Sequence, residues 1–163
     1  MDIRFYDETR PRKKRDNIDD DFESQFSAAT AVFSFFLFKG KSKENIKQIN
    51  IDCRKNIKSI FYHDVVDGFW DIDVPYDPYV FLSITEDEQK RKEFLRVFNE
   101  IFEQIFEHKN WDKEVLQKAL ASSKEVSFKR EFLLKGTPKK NPKKDKLAIV
   151  RCIEDIRSFQ IIC

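Results

Sequence analysis

The dipeptide Asp67-Gly68 most constrains how this chain can fold, because it separates two runs in which apolar and polar residues alternate. The runs are SIFYHDVV at residues 59–66 and FWDIDV at residues 69–74. A tight type I′ turn needs positive φ at both central residues, and an Asp-Gly pair tolerates that conformation. The sequence therefore predicts a β-hairpin whose register is set by its turn.

The predicted register assigns the hairpin residues to two faces, because successive side chains of a strand point to opposite sides of the sheet. Asp64 would lie opposite Asp71, and Tyr62 would lie opposite Asp73. The predicted core face contains Phe61, His63, Val65, Trp70, Ile72 and Val74. The predicted acidic face, with an aromatic fringe, contains Tyr62, Asp64, Val66, Phe69, Asp71 and Asp73. His63 is accordingly interpreted as a structural histidine.

Further strands are expected where apolar residues alternate or form short runs. They are predicted at residues 3–6, 31–39, 47–53, 79–84, 125–135, 147–152 and 156–163. The strands at 31–39 and 47–53 would form a second hairpin around a polar turn. Since most of these strands are neighbours in sequence, we predict an α+β fold with a mainly antiparallel sheet.

Two consecutive helices, at about 86–108 and 111–121, are predicted to pack on one face of this sheet. Thr85 and Glu88 have the spacing of a capping box, which marks the start of the first helix. Asn110 is predicted to cap the second helix. The first helix carries its apolar stripe at helical spacing, which indicates a buried face. That stripe contains Phe94, Phe98, Ile101 and Ile105.

The length of 163 residues and the 17 phenylalanines suit one domain with a dense aromatic core. Residues 1–24 are predicted to form a charged, partly mobile N-terminal arm, and residues 25–163 a single α+β domain. The apolar run at 26–38 is shorter than the roughly 20 residues that span a bilayer, so no membrane association is expected. Three cysteines without paired spacing, Cys53, Cys152 and Cys163, suit a reduced cytoplasmic interior.

Charge is segregated along the chain, although the formal net charge is only +2. Between Asp64 and Glu88 there are eight acidic residues and no Lys or Arg. The positive charges are concentrated in two basic runs, RPRKKR at 10–15 and KGTPKKNPKKDK at 135–146. Segregated charge creates strong local fields that attract a charged partner. The composition therefore indicates a binding function.

Two partial motifs for catalysis are better explained as ordinary structure. The sequence GKS at 40–42 ends a phosphate-binding loop, but the first glycine of that motif is replaced by Phe35. Glu88-Gln89-Lys90 has the spacing used in metal-dependent nucleases that carry an upstream acid such as Asp77. In the first turn of a helix, however, those two side chains diverge. We predict no catalytic residue, no metal ligand and no cofactor.

The two opposed aspartates of the predicted hairpin, Asp64 and Asp71, should repel each other by up to about 1 kcal/mol. An internal Lys or Arg, a bound Mg²⁺ or Ca²⁺, or a cationic group from a partner would offset that repulsion. These alternatives stay open, although we favour the first and third over the metal. The predicted partner-binding residues are Tyr62, Asp64, Phe69, Asp71, Asp73 and Asp77.

Nucleic-acid binding through the two basic runs is the first alternative function, and a metal-dependent nuclease is the second. The run at 135–146 contains six lysines but no Arg and no aromatic residue. Base recognition usually uses Arg and stacked aromatic rings, so we favour a solvated loop over a phosphate-binding role.

The chain resembles the small immunity proteins of bacterial polymorphic-toxin and contact-dependent inhibition systems. The resemblance lies in an acidic aromatic hairpin (IFYHDVVDGFWDIDV), an amphipathic helix (TEDEQKRKEFLRVFNEIFEQIF) and two closing strands (KLAIVRC and IRSFQIIC). It covers the layout of residues 29–163 and implies a soluble, non-catalytic, cytoplasmic protein that binds and blocks one cognate toxin. The partner would present a basic surface. The net charge of +2 departs from the acidic balance usual in inhibitors of nuclease toxins. The oligomeric state does not follow from these patterns.

Overall fold

A computed structural model describes residues 1–9, 22–38, 44–134, 138–140, 142–144, 147–155 and 158–162. The basic run at 10–15 and the GKS sequence lie outside the described residues, and the run at 135–146 is described only in part. The helices are α1 (Phe22–Leu37), α2 (Pro78–Leu82), α3 (Asp87–His108) and α4 (Lys113–Glu125). The strands are β1 (Asp2–Asp7), β2 (Gln48–Cys53), β3 (Phe61–Val66), β4 (Phe69–Val74), β5 (Arg130–Leu133), β6 (Lys139–Lys140), β7 (Leu147–Ala148), β8 (Arg151–Asp155) and β9 (Ser158–Ile162).

The predicted α+β class is confirmed, but the main sheet is mixed and the prediction of a mainly antiparallel sheet is wrong. Its strand order is β1-β2-β4-β3. β1, β2 and β4 run parallel, and only β3 is antiparallel to its neighbour. Parallel neighbours need a crossover connection, which α1 supplies between β1 and β2. Two smaller antiparallel sheets, β5-β8-β9 and β6-β7, are formed by the C-terminal part of the chain.

Helix α1 replaces the strand predicted at residues 31–39, and the second predicted hairpin is therefore wrong. A continuous apolar run does not distinguish a buried strand from a buried helix by its periodicity. The fully buried residues Phe22, Phe26, Ala29 and Phe33 recur every three or four positions, which is the spacing of one helix face. The helix begins at Phe22, so the predicted boundary between residues 24 and 25 falls inside it. Of the predicted N-terminal arm, β1 belongs to the main sheet.

Helix α2 replaces the strand predicted at residues 79–84. Asp77 is its N-cap, and the carboxylate of Asp77 accepts a hydrogen bond of 3.0 Å from the backbone N–H of Tyr79. Pro78 occupies the first helical position, where its fixed φ and missing N–H favour helix initiation. An Asp-Pro start outweighs the β propensity of the residues that follow.

The two predicted helices are present as α3 and α4, but the N-caps of both differ from the prediction. The N-cap of α3 is Glu86, without a side-chain capping bond, rather than Thr85. Asn110 takes a left-handed φ of 54° and ends α3 instead of starting the next helix. The N–H of Trp111 reaches back to the carbonyl of Phe106 at 2.8 Å, which is the hydrogen bond of a Schellman motif. Helix α4 is capped by the side chain of Asp112.

The core is an aromatic cluster between α1, α3 and one face of the main sheet. The predicted stripe of α3 is buried in it, and Phe98 has no exposed surface. The ring of Phe98 stacks on Phe33 of α1 at 4.7 Å between centroids and lies 5.6 Å from Phe5 of β1. One side chain therefore connects two helices with the sheet. Cys53 and Cys152 are buried free thiols, whereas Cys163 lies outside the described residues.

Replacing Phe98 by alanine should lower the free energy of unfolding by roughly 3 to 5 kcal/mol, because it leaves a cavity in a closely packed aromatic cluster. The change should be measured by urea unfolding. Lys92→Ala, at an exposed position of the same helix, is the control and should have little effect. A Phe98→Ala variant of unchanged stability would show that this ring does not support the core.

The predicted turn of the β3-β4 hairpin is confirmed. Asp67 has a φ of 53° and Gly68 a φ of 88°, so both central residues adopt the left-handed conformation. The carbonyl of Gly68 accepts hydrogen bonds from the N–H groups of Lys47 and Gln48, which joins the turn to the start of β2. A Cβ at Gly68 would lie 2.9 Å from the carbonyl oxygen of Asn45. Position 68 therefore disfavours any residue with a Cβ, because its φ is positive and the carbonyl of Asn45 occupies the space.

Gly68→Val should lower the free energy of unfolding by more than about 1 kcal/mol, since a β-branched residue resists positive φ. Thermal unfolding gives the measurement. Asp67→Asn is the matched control, because asparagine tolerates the left-handed region and should preserve the melting temperature. Equal melting temperatures for the Gly68→Val variant and the wild type would contradict the observed turn.

Candidate functional site

A β-bulge shifts the register of the hairpin just beyond its turn. Val66 pairs with Phe69 and Val65 with Trp70, as predicted. Beyond that point Tyr62 pairs with Ile72 instead of Asp73, so His63 and Asp64 together lie opposite Asp71. The predicted opposition of Asp64 and Asp71 is therefore kept, and the predicted register is wrong from residue 63 back to residue 61. An extra residue of this kind re-aims the side chains that follow it.

The bulge exchanges the faces of three side chains. Tyr62 turns towards the helices, where its ring stacks on His108 at 3.8 Å and on Trp70 at 5.9 Å. Phe61 and His63 turn the other way, and their rings lie 4.8 Å apart. The interpretation of His63 as a core residue is wrong, because its side chain is exposed. Tyr62 is separated from the aspartates with which it was predicted to act.

The face of the main sheet that points away from the core is the candidate site, and we call it the open face. Alternate residues of β1, β2 and β4 lie on it, while the intervening residues of these three strands are buried against the helices. The open face contains Arg4, Tyr6, Gln48, Asn50, Asp52, Phe61, His63, Val66, Phe69, Asp71 and Asp73. Three predicted partner-binding residues, Phe69, Asp71 and Asp73, are thus brought together on it. Asp64 lies in the bulge and is exposed.

Aspartate side chains of neighbouring strands meet on the open face. Asp52 of β2 pairs in register with Asp73 of β4. The guanidinium of Arg54 lies 2.8 Å from one carboxylate oxygen of Asp73, and Nε2 of His63 lies 3.4 Å from the other. The amide of Asn50 donates a 2.6 Å hydrogen bond to Asp71. An internal cation therefore compensates Asp73, whereas the alternatives stated for the pair Asp64 and Asp71 stay open.

Asp52 is the carboxylate whose ionisation is least favourable. Burial raises the pKa of Asp52 to about 6, and the nearby charges of Glu8, Asp73 and Asp71 add to that shift. The positive charge of Arg54 lowers the pKa of Asp52, but the guanidinium of Arg54 is paired with Asp73 at 2.8 Å. Near neutral pH the open face thus holds a half-buried negative charge that its own cations do not compensate fully.

The raised pKa makes the stability of the fold depend on pH between about 4 and 6. In the unfolded chain Asp52 ionises near its ordinary pKa of about 4, whereas the folded protein still holds the proton there. The free energy of unfolding therefore falls as the pH rises from about 4 and levels off above the folded pKa of about 6. Asp52→Asn should therefore be more stable than the wild type by about 1 to 2 kcal/mol at pH 7.5. The difference should approach zero near pH 4.

Urea unfolding of both proteins across this range provides the measurement. Asp64→Asn removes an equal charge at an exposed position and should change stability little at any pH. A wild type that matches the Asp52→Asn variant at pH 7.5 would show that the charge of Asp52 is already compensated.

Exposed apolar side chains border the aspartates. Phe61 is 59% exposed, Val66 64% and Phe69 45%, and all three belong to the hairpin. Phe61 pairs in register with Asp73, and Phe69 lies two residues before Asp71 on β4. Large aromatic rings beside charged groups are typical anchors of protein interfaces. We name Phe61, His63, Val66, Phe69, Asp71 and Asp73 the hairpin surface.

The remaining residues singled out in the sequence lie away from the hairpin surface. Asp77 caps α2. Lys90 is buried, where it donates a hydrogen bond to Gln25 and lies over the ring of Phe81, whereas Glu88 is exposed. Within the residues that the structure describes, no group of three or more His, Cys, Asp or Glu side chains could hold a metal ion.

A second exposed apolar area belongs to the C-terminal part of the chain. It contains Leu133, Leu134, Leu147, Ile149, Ile161 and Ile162. Glu131 and Arg151 form an ion pair of 2.9 Å beside it. Substitutions in this area provide a control for substitutions in the hairpin surface.

Comparisons of the chain with models of known protein families, with curated proteins and with solved structures found no significant match. Among the described helices, none combines the length and the apolar character needed to cross a membrane. The functional argument therefore starts from the geometry of the open face.

Proposed function

We propose that this protein is a non-catalytic, immunity-type inhibitor that binds a cognate toxin domain in the cytoplasm and blocks it. The hairpin surface makes the contact, and the toxin presents a basic patch to it. The observation that carries this proposal is the border of exposed aromatic rings around aspartates on a rigid sheet face. The predicted partner-binding set is revised accordingly: Phe69, Asp71 and Asp73 are kept, and Phe61, His63 and Val66 replace Tyr62, Asp64 and Asp77.

Charge complementarity supports a cationic partner. Asp52, Asp71 and Asp73 lie together on the open face, and Arg54, the cation paired with Asp73, compensates one of these three carboxylates. A Lys or Arg brought close to Asp52 would stabilise its ionised form, which the fold itself disfavours. Opposite charges also steer association and raise its rate at low salt.

The position of the residues supports binding rather than catalysis. Phe61 and Phe69 project from paired strands, so little conformational entropy is lost when a partner covers them. The aspartates lie on an exposed sheet face rather than in an enclosed pocket. Catalytic groups usually work in sites from which water is excluded, where electrostatic effects are strong. A flat acidic surface suits the occlusion of a partner's active site.

The decisive experiment tests neutralisation of a toxin encoded beside the gene, in cells and with purified proteins. The wild type should restore growth and bind the toxin domain directly. The double variant Phe69→Ala with Asp71→Asn should weaken binding by about 2 kcal/mol or more, because it removes an anchor and a complementary charge. Its melting temperature should change little, since both side chains are exposed.

A matched double variant provides the control on the C-terminal apolar area. Leu133→Ala with Glu131→Gln removes an exposed apolar side chain and an acid at the same spacing on β5. It should bind the toxin with full affinity. Loss of binding by this variant alone would place the interface on the C-terminal sheet. Salt-dependent binding to DNA or RNA without any neutralisation would support the nucleic-acid alternative instead.

A further inference from the structure

A cavity of about 250 Å³ lies between α3 and the segment that joins β4 to α2. Its apolar wall is formed by Val74, Val97 and Ile101, among other residues. Asp77, Arg96, Glu100 and Gln104 supply its polar groups. Small-molecule sites usually enclose about 300 to 1,000 Å³, so a cavity of this size suits a single side chain.

Arg96, the cation among the described residues of this lining, is held by carboxylates of its own helix. Nε and Nη2 of Arg96 donate to the two carboxylate oxygens of Glu93 at 2.8 and 2.6 Å, and Nη1 donates to Glu100 at 2.6 Å. These bonds raise the pKa of Arg96 and fix its guanidinium along the helix. The hydroxyl of Tyr76 also donates to Glu93, which holds that carboxylate in place. Arg96 is thereby neutralised.

Three side chains of the lining keep a free acceptor oxygen. Asp77 uses one carboxylate oxygen for the N–H of Tyr79, and Glu100 uses one for Arg96. The amide nitrogen of Gln104 donates to the backbone carbonyl of Glu100, which leaves its side-chain oxygen. Within the described part of the chain, these three remaining oxygens accept no hydrogen bond. The cavity thus combines an apolar wall with acceptors and excess negative charge.

We propose that this cavity binds the end of a lysine or arginine side chain supplied by the partner protein. The aliphatic stem would pack on Val74, Val97 and Ile101, and the cationic head would donate to Asp77, Glu100 and Gln104. Long basic side chains bind in this way, with an apolar stem and a charged tip. A cation is the complementary ligand, because it supplies only donors.

The cavity lies on the helix side of the main sheet, next to the ends of the hairpin strands, and the source of the side chain rests on the proposed function. Ile60 lines the cavity and directly precedes Phe61, while Val74 lines it and directly follows Asp73. Because neighbouring residues of a strand point to opposite faces, a partner that covers the hairpin surface reaches the cavity by extending around the edge strand β3. This gives Asp77, which lies away from the open face, a place in the same interface.

Butylguanidinium is the probe, titrated into the full chain while methyl NMR signals are followed. Saturable shifts should map to Val74, Val80, Val97 and Ile101. Butanol and butyrate are the controls, since they keep the alkyl chain but carry no charge or the opposite charge. Both should bind at least about tenfold more weakly, a difference of 1.4 kcal/mol.

Three variants locate the probe. Asp77→Asn should weaken butylguanidinium about tenfold while it preserves the cap of α2, because asparagine is an equally good N-cap. Asp64→Asn removes the same charge from the exposed bulge of β3 and should leave probe binding unchanged. Val80→Trp, at a half-exposed lining position, should fill the cavity and abolish the shifts.

Because the titration contains no partner, its result is independent of toxin neutralisation. Equal binding of butanol and butylguanidinium, or shifts confined to the open face, would overturn the proposal. The Val80→Trp variant should also weaken toxin binding about tenfold. Full toxin affinity in a folded Val80→Trp variant would overturn the role in the interface, even if the hairpin surface were confirmed as the contact.

Discussion

The indole of Trp70 is the group on which the arrangement of the hairpin depends. Trp70 is almost completely buried, and a buried indole N–H needs an acceptor. It donates to the backbone carbonyl of His63 at 2.9 Å, within the bulge. The ring also stacks near Tyr62 and His108 and lies under the ammonium of Lys109 at 4.5 Å. The bulge that exposes Phe61 and His63 is thus tied to the packing of the opposite face.

The link between Trp70 and the bulge determines which side chains of the hairpin lie on the open face. If the simple register continued, Tyr62 would stand beside the aspartates and Phe61 would be buried. With the bulge, Asp73 instead contacts His63 on one side and Arg54 on the other. Arg54 lies just beyond β2 and satisfies one aspartate, while Asp52 of the same strand keeps its raised pKa. Parallel pairing of β2 with β4 creates this contrast, because it brings two acids of distant sequence position into register.

The helices support the open face by covering the other side of β1, β2 and β4, whose intervening residues are buried. Helix α1 crosses from β1 to β2, and its Phe26 and Phe33 interlock with Phe94 and Phe98 of α3. That crossover makes β1 and β2 parallel, and it leaves the polar side of both strands uncovered. The same packing aligns α3 with the end of β4, where the cavity beside Asp77 forms.

The sequence by itself determined the elements whose signals are local. Asp67-Gly68 specifies its turn through backbone conformation, and the periodic stripe of α3 specifies a buried helix. Tertiary structure decided the rest. The apolar run at 26–38 fits a strand or a helix equally, and only packing against α3 and β1 selects the helix. No local sequence pattern predicts the bulge either, because the bulge is tied to the hydrogen bond that the buried indole of Trp70 donates to the carbonyl of His63. Hence the acidic residues of β4 could be placed on one face from sequence, whereas Phe61, His63, Arg54 and Asp52 could not.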